Sequence, residues 1–468
     1  RNNRFLAGTL AGLMMLTMLP VTALATEGDA AGEPTTAVDG APVSETSDSR
    51  TVNVVNDTEG GQTAVNNDEN TGDNANPAGG NDAQPGEGGA ESGAPVGEGE
   101  GGGSGTTEGT GTSTTEQEKP ETPVDAAKIV GKNEYASIGE AIDDAQPGDT
   151  IVLLHDVTEN IEINRSLTLD LNGFTLTGNA DAAVVTISGD ETQVTVENGT
   201  VTGGRNPQNG GGFSIDSAVV QLKDLTITGN EAIDNDGDGN VGGGGIYALH
   251  AAVSMQNVTV SENRATKRRC DGGGILVRYG SLTMDGCHVK GNTAPDCGGG
   301  MVLMHSELNA ANSFFENNTA EQGAGIFFND ASGDAEKGCS GEHNHLITNS
   351  TISGNTVFNS QNSMGGGMYV GATSNLTLRN SKLLKNDGAN QGGAIVAYSA
   401  RTIELDGASI SENKAASGAG IYALGTATCK PDIRLLNGTV IDRNTASGYG
   451  GGIYAYAMTG PLSVTAEN

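Results

Sequence analysis

From Val253 to Val260 apolar and polar residues alternate in two short bursts, Val253 and Met255, then Val258 and Val260, with a break at Gln256-Asn257. A period of two puts every second side chain on one face, the mark of a half-buried strand, and Asn at the break is turn chemistry. The same double-strand pattern fits 282–289, 308–315, 376–383, 403–410 and 433–440. Upstream it fits 194–201, 220–227 and, with one extra residue, 167–176. After the second strand stands an Asn: Asn230, Asn263, Asn292, Asn318, Asn355, Asn413 and Asn444. Asn tolerates left-handed backbone geometry better than other non-glycine residues, so these positions are expected to turn the chain. Stacked in register, their amides can hydrogen-bond from one coil to the next.

A second pattern interleaves with the first. Gly-Gly-Gly-Ile-Tyr at 243–247 returns in worn form at 272–276, 298–302, 323–327, 365–369, 392–396, 418–422 and 450–454. The copies are mostly about 25–32 residues apart, a period that marks a repeat architecture. One longer step, Gly325 to Gly367, holds an insertion. The glycines mark a corner where φ is positive or a side chain would clash, and the Ile after them points inward. Three short strands per period, separated by Asn and Gly corners, predict an all-β fold: a right-handed parallel β-helix. Roughly eleven coils from Leu167 onward, at ~4.8 Å each, give a solenoid about 50 Å long. A propeller blade needs roughly 40–50 residues, more than most of these repeats have.

The solenoid needs a cap. Ser137-Ile-Gly-Glu140 reads as a capping box, and Ile138, Ala141, Ile142 and Ala145 form an apolar helical stripe. Pro147-Gly148 stops the helix, 151–154 reads as the first strand, and 161–171 as the next.

These motifs resemble the pectate-lyase-like β-helix superfamily, and especially the polymorphic outer membrane protein type of repeat. That type carries GGA before an aliphatic residue, as in Gly392-Gly393-Ala394-Ile395, and FxxN, as in Phe315-Glu-Asn-Asn318. The stretch at 135–154 resembles the cap that opens many secreted β-helix proteins, pectinesterases among them. The resemblance covers about 126–468 and implies fold and surface display. It implies no substrate, because the superfamily holds lyases, hydrolases, esterases and non-catalytic adhesins alike.

The first 125 residues speak to location. Arg1 and Arg4 precede an apolar run at 5–19, and Ala23-Leu-Ala25 is an A-x-A cleavage site, so 1–25 is expected to be a secretory signal peptide. Residues 26–125 contain no aromatic residue and 21 acidic residues against Arg50 and Lys119. Such a tract cannot bury a core, and 26–125 is expected to be a disordered acidic stalk or linker. Residues 126–468 are the β-helix. The chain starts at Arg1 and stops inside a coil at Asn468, so a C-terminal region is expected beyond it.

Charge and cysteines narrow the partners. A formal net charge of −34 argues against nucleic acid and anionic membrane surfaces, and no membrane insertion of the mature chain is expected. Five cysteines are too few for a disulfide framework. Cys270 and Cys297 precede successive glycine triplets, so a disulfide between adjacent coils is geometrically reasonable. Cys287, Cys339 and Cys429 have no evident partners.

Three constellations could carry chemistry. Asp234, Asp236, Asp238 and Asn240, with Gly237 and Gly239 between them, fit the first half of a calcium loop. Gly245 takes the twelfth position in place of Glu, so a weak, structural Ca2+ site is expected. Lys267, Arg268 and Arg269 follow one coil later on the same corner and would bind an anionic glycan. Beside calcium they would also suit a uronate lyase, with metal and cations neutralising the substrate carboxylate while a basic group takes the α-proton. His343-x-His345 on a strand would put two imidazoles on one face, as a transition-metal site wants. His345, however, falls where the other repeats point inward, which favours a packed or surface histidine pair. No GxSxG elbow, HExxH or polygalacturonase-type aspartate set is present in the sequence.

With no complete catalytic constellation, the sequence favours a secreted or cell-surface bacterial adhesin or binding scaffold for host or environmental glycans or surface proteins. The alternative is an extracellular polysaccharide lyase or related enzyme acting on uronate polymers.

Overall fold

The computed structural model describes residues 124–233, 241–266, 271–330, 343–358, 360, 362–371, 374–427, 429–458 and 460–467. These wind into a right-handed parallel β-solenoid with almost no helix. One face is an 11-stranded parallel sheet, running from Ile161–Ile163 through Ile246–Leu249 and Ile275–Arg278 to Ile453–Ala457. Ten of its strands lie beyond Leu167, in a solenoid of about nine turns, fewer than the roughly eleven coils expected. The long face is a 23-stranded sheet to which most coils contribute two strands, such as Ala252–Gln256 and Thr259–Ser261. Short strands such as Glu231–Ile233 and Arg264–Thr266 make a third side.

Register explains the period-two pattern. On the glycine-led face Ile246, Ile275, Met301 and Ile326 pair in sequence, and each is essentially fully buried. On the long face Val253 pairs with Leu282, and Leu282 with Leu308, in a second inward column. Each inward aliphatic side chain contributes roughly 1.5–3 kcal/mol of burial, and stacking lets every coil share that core with its neighbours.

The corners divide the work differently from the sequence expectation. Asn257, Asn312, Asn349, Asn380 and Asn437, at the mid-face break, have φ between 49 and 54° as expected. The Asn after the second strand is not the left-handed residue. The residue before it is: Gly229, Glu262, Gly291, Asn317, Gly354, Lys385, Glu412 and Arg443 carry positive φ. None is β-branched, the class that pays most for this geometry. The turn thereby frees the Asn side chain to point inward. Asn230, Asn263, Asn292, Asn318, Asn355 and Asn413 are fully buried and linked, together with Asn386, in one amide ladder that ends at half-buried Asn444. Asn386 was not among the expected positions.

The first glycine of each triplet is the left-handed one. At Gly272 φ is +66°, and a Cβ would stand 2.4 Å from the Ile275 carbonyl oxygen. At Gly244, the middle of its triplet, a Cβ would stand 2.4 Å from the carbonyl oxygens of Arg264 and Gly273, one in the third side of the same coil and one in the next coil.

At the N-terminal end helix α1 (Ile138–Asp144) covers the first coil with Ile138, Ala141 and Ile142, and Ser137 Oγ accepts from the Glu140 N–H. The Ile138 and Gly139 N–H groups donate to the Glu159 carboxylate, each at 2.9 Å. A strand at Ala127–Ile129, not expected from sequence, pairs antiparallel with Thr150–Leu153. The single strand expected over 161–171 is two, Ile161–Ile163 and Leu167–Asp170, on different faces. The intervening 164–166 is polar and makes the corner. Among the described residues no helix is long and apolar enough to cross a membrane.

Candidate functional site

The chain passes from the glycine-led face to the long face through a short corner whose first residue is left-handed in several coils. His250, Tyr279 and His305 hold this place in successive coils, with φ of 50, 54 and 49°. Left-handed geometry turns their rings outward, and the coil spacing stacks them. His250 and Tyr279 lie 5.5 Å apart between ring centroids, and Tyr279 and His305 5.1 Å apart at 5°. Tyr279 is 56% exposed. Beside this ridge is an open depression of about 540 Å³ lined by Tyr279, Gly280, His305, Glu307 and His343.

In the next coil the corner residue is Asp330, and its side chain turns inward. It is buried, with Oδ2 accepting from Ser374 Oγ at 2.6 Å and standing 3.3 Å from His345 Nε2. His345 occupies the column of Leu376, stacks on Phe328 at 4.0 Å, and leaves Nδ1 buried without a partner. The outward place passes to His343, which meets His305 edge-on at 6.3 Å and 68°. One ligand atom each from His305, Asp330 and His343 lies within 4.8 Å of the others. His345 is thus packed, as expected, and the pair His343/His345 does not converge; the imidazoles that approach a common carboxylate from outside are His305 and His343.

A second cluster lies ahead of the glycine triplets, where Asp271, Asp296 and Cys297 bring their ligand atoms within 4.8 Å. Burial first, then the nearby Asp296 charge, push the Asp271 carboxyl up to about 7, against the opposing pull of Arg278. Burial and the same two carboxyls push the Cys297 thiol well above its ordinary range.

This also corrects the disulfide expectation. Cys297 is a free thiol, and its close neighbour across the coils is Asp271, because the Gly272 N–H pairs with the Cys297 carbonyl. Cys287 is likewise free and buried, whereas Cys429, expected without a partner, is disulfide-bonded. Cys270 and Cys339 lie outside the described residues. So do the expected calcium ligands Asp234, Asp236, Asp238 and Asn240, and the basic run Lys267, Arg268 and Arg269. The described residues that precede them, Ile233 and Thr266, are paired partners on the third side.

Residues 159–338 match the protein family described as a right handed beta helix region. No curated protein and no solved structure matches the chain. The family match and the coiled parallel sheets define a β-helix protein.

Proposed function

We propose that this β-helix protein is an exported, surface-displayed binding protein whose corner ridge holds a glycan or a partner protein. The observation that carries the reading is the row His250–Tyr279–His305 beside the depression that contains Glu307 and His343. Ring edges, the Tyr279 hydroxyl and imidazole nitrogens repeat there at the coil spacing, a pitch close to the length of one sugar unit in a chain. Such a row offers periodic hydrogen bonding to a repeating ligand, and Tyr and His present apolar bodies with polar tips. The high negative charge favours neutral or cationic ligands over uronate polymers. The leader at 1–25, the acidic tract at 26–125 and the resemblance to polymorphic outer membrane protein repeats support export and display. Structural calcium at Asp234, Asp236 and Asp238 belongs to the same reading.

A glycan panel probed with the full chain tests it. Binding to neutral glycans should fall at least tenfold in Tyr279→Ala, whose side chain carries no core packing. Binding unchanged in Tyr279→Ala and Glu307→Ala would move the function away from this ridge. Calcium-dependent release of unsaturated uronates, lost when Lys267, Arg268 and Arg269 become Ala, would replace the reading with a lyase.

A further inference from the structure

We propose that His305, Asp330 and His343 form a divalent transition-metal site of the zinc class, independent of whether the ridge binds a glycan. Two imidazoles and one carboxylate are an N2O donor set. That chemistry selects first-row metals such as Zn2+ over Ca2+, which takes oxygen donors only.

Geometry supports convergence. Donors bound at about 2.1 Å to a tetrahedral metal stand about 3.4 Å apart. The three donor atoms already lie within 4.8 Å, and the two histidines are only half buried, so small side-chain rotations close the set. The rings of His305 and His343 meet edge-on at 68° rather than stacked, which lets a nitrogen of each aim at one point. Tyr279, parallel to His305 at 5.1 Å, holds that ring in its plane.

The carboxylate is prepared from behind. Ser374 Oγ and His345 Nε2 both meet Asp330 Oδ2, at 2.6 and 3.3 Å, inside the solenoid. Outer partners of this kind orient a ligating carboxylate and are commonly worth 10–100-fold in metal affinity. They also give a reason for a polar His345 in an otherwise aliphatic column, with Nδ1 buried and unpartnered. An apolar side chain would pack there at lower cost if orienting Asp330 had no use.

The site opens on the depression lined by Glu307, which supplies an entry path and leaves room for a water or ligand atom on the metal. The Asp271–Asp296–Cys297 cluster does not compete on equal terms. There a metal must displace protons that burial holds on Asp271 and Cys297.

The test uses the full chain without an affinity tag, stripped with chelator and titrated with ZnCl2 by calorimetry. One saturable site of micromolar or tighter Kd is expected, weakened at least tenfold in His305→Ala and in His343→Ala. Ser374→Ala should weaken it about tenfold. His250→Ala, on the same ridge, and Cys297→Ser should leave it unchanged. Co2+ substitution should give visible d–d absorption that is lost in the His305→Ala/His343→Ala double variant, with the far-ultraviolet circular dichroism intact. Absence of saturable Zn2+ binding, or wild-type affinity in the double variant, would overturn the site.

Discussion

Asn292 donates twice to one atom of Asn318: its backbone N–H and its Nδ2 both reach Oδ1, at 3.0 and 3.1 Å. Asn318 repeats the arrangement with Asn355 and also donates to the Val289 carbonyl at 3.0 Å. Each rung therefore holds its own turn, its neighbour's turn and a strand end together.

Removing a central rung should be expensive. Asn318→Ala leaves two buried Asn292 donors and the Val289 carbonyl unmatched, at about 1–3 kcal/mol for each orphaned group. A loss of roughly 3–5 kcal/mol is expected by chemical denaturation. Asn444→Ala, at a half-buried rung, should lose less than half as much, because water can replace the missing amide. Equal losses at the two positions would mean that the ladder is not the stabilising element.

Left-handed corners should rank by what the adjacent backbone allows. Gly272→Ala places a Cβ at φ +66° and 2.4 Å from the Ile275 oxygen, and should lose at least about 2 kcal/mol. Gly286→Asn should stay within about 0.5 kcal/mol. Its φ of 64° resembles that of Asn257 and Asn312 at the same corner in neighbouring coils, and the nearest atom is the end of the Asn257 side chain. Thermal melts of the two variants check the order.

Asp271 should make stability fall with rising pH. Its carboxyl binds a proton up to about 7 in the folded chain, against an ordinary value of 3.8. Between these limits the folded state holds more protons than the unfolded one. Stability is thus highest below about pH 4 for this group and declines until about pH 7. Asp271→Asn should flatten that decline and raise stability at pH 8 by at most about 4 kcal/mol, at about 1.4 kcal/mol for each pH step, and by less to the extent that solvent reaches this half-buried carboxyl. A pH-stability profile unchanged by the substitution would contradict the buried-acid reading.

The cap rests on two side chains. Glu159→Gln removes the negative charge that meets the Ile138 and Gly139 N–H groups, and Ser137→Ala removes the acceptor for the Glu140 N–H. Each should lower stability by about 1 kcal/mol, and the effect of Glu159→Gln should shrink in high salt. Hydrogen exchange of the 138–140 amides would report the loss locally.

The double strands of the long face were legible because side-chain burial there alternates with a period of two, and the cap because Ser137 and the stripe through Ile142 are local. Third-side strands such as Arg264–Thr266 were not legible, and on the glycine-led face Ile246, Tyr247 and Ala248 are all buried. The left-handed residues after the second strand were misplaced by one. Asn carried the propensity, but the inward amide ladder needed it in the following position. The cluster at His305 escaped notice for a different reason. His250, Tyr279, His305 and Asp330 all stand seven residues after the first glycine of their triplets, an offset visible in the sequence. What the sequence could not give is that Asp330 turns inward where the others turn outward, and that His343 comes back beside His305 after the insertion. Residues two apart, such as His343 and His345, suggest a pair on one strand face; here the strand begins at Asn344, so His343 lies ahead of it and escapes the alternation that buries His345.

Successive rungs meet through the same hydrogen bond of 3.0–3.1 Å whatever the length of chain between them: 26 residues from Asn292 to Asn318, 37 from Asn318 to Asn355. Spatial repeat and sequence repeat are uncoupled, so a coil can gain a dozen residues at a corner while its strands keep their register. Lengthening a loop adds only about 0.6 kcal/mol per doubling. Such a scaffold can acquire new surface chemistry by insertion, one coil at a time, without renegotiating its interior. The neighbourhood of Asp330 and His343, which border the longest step, is where this chain has used that freedom.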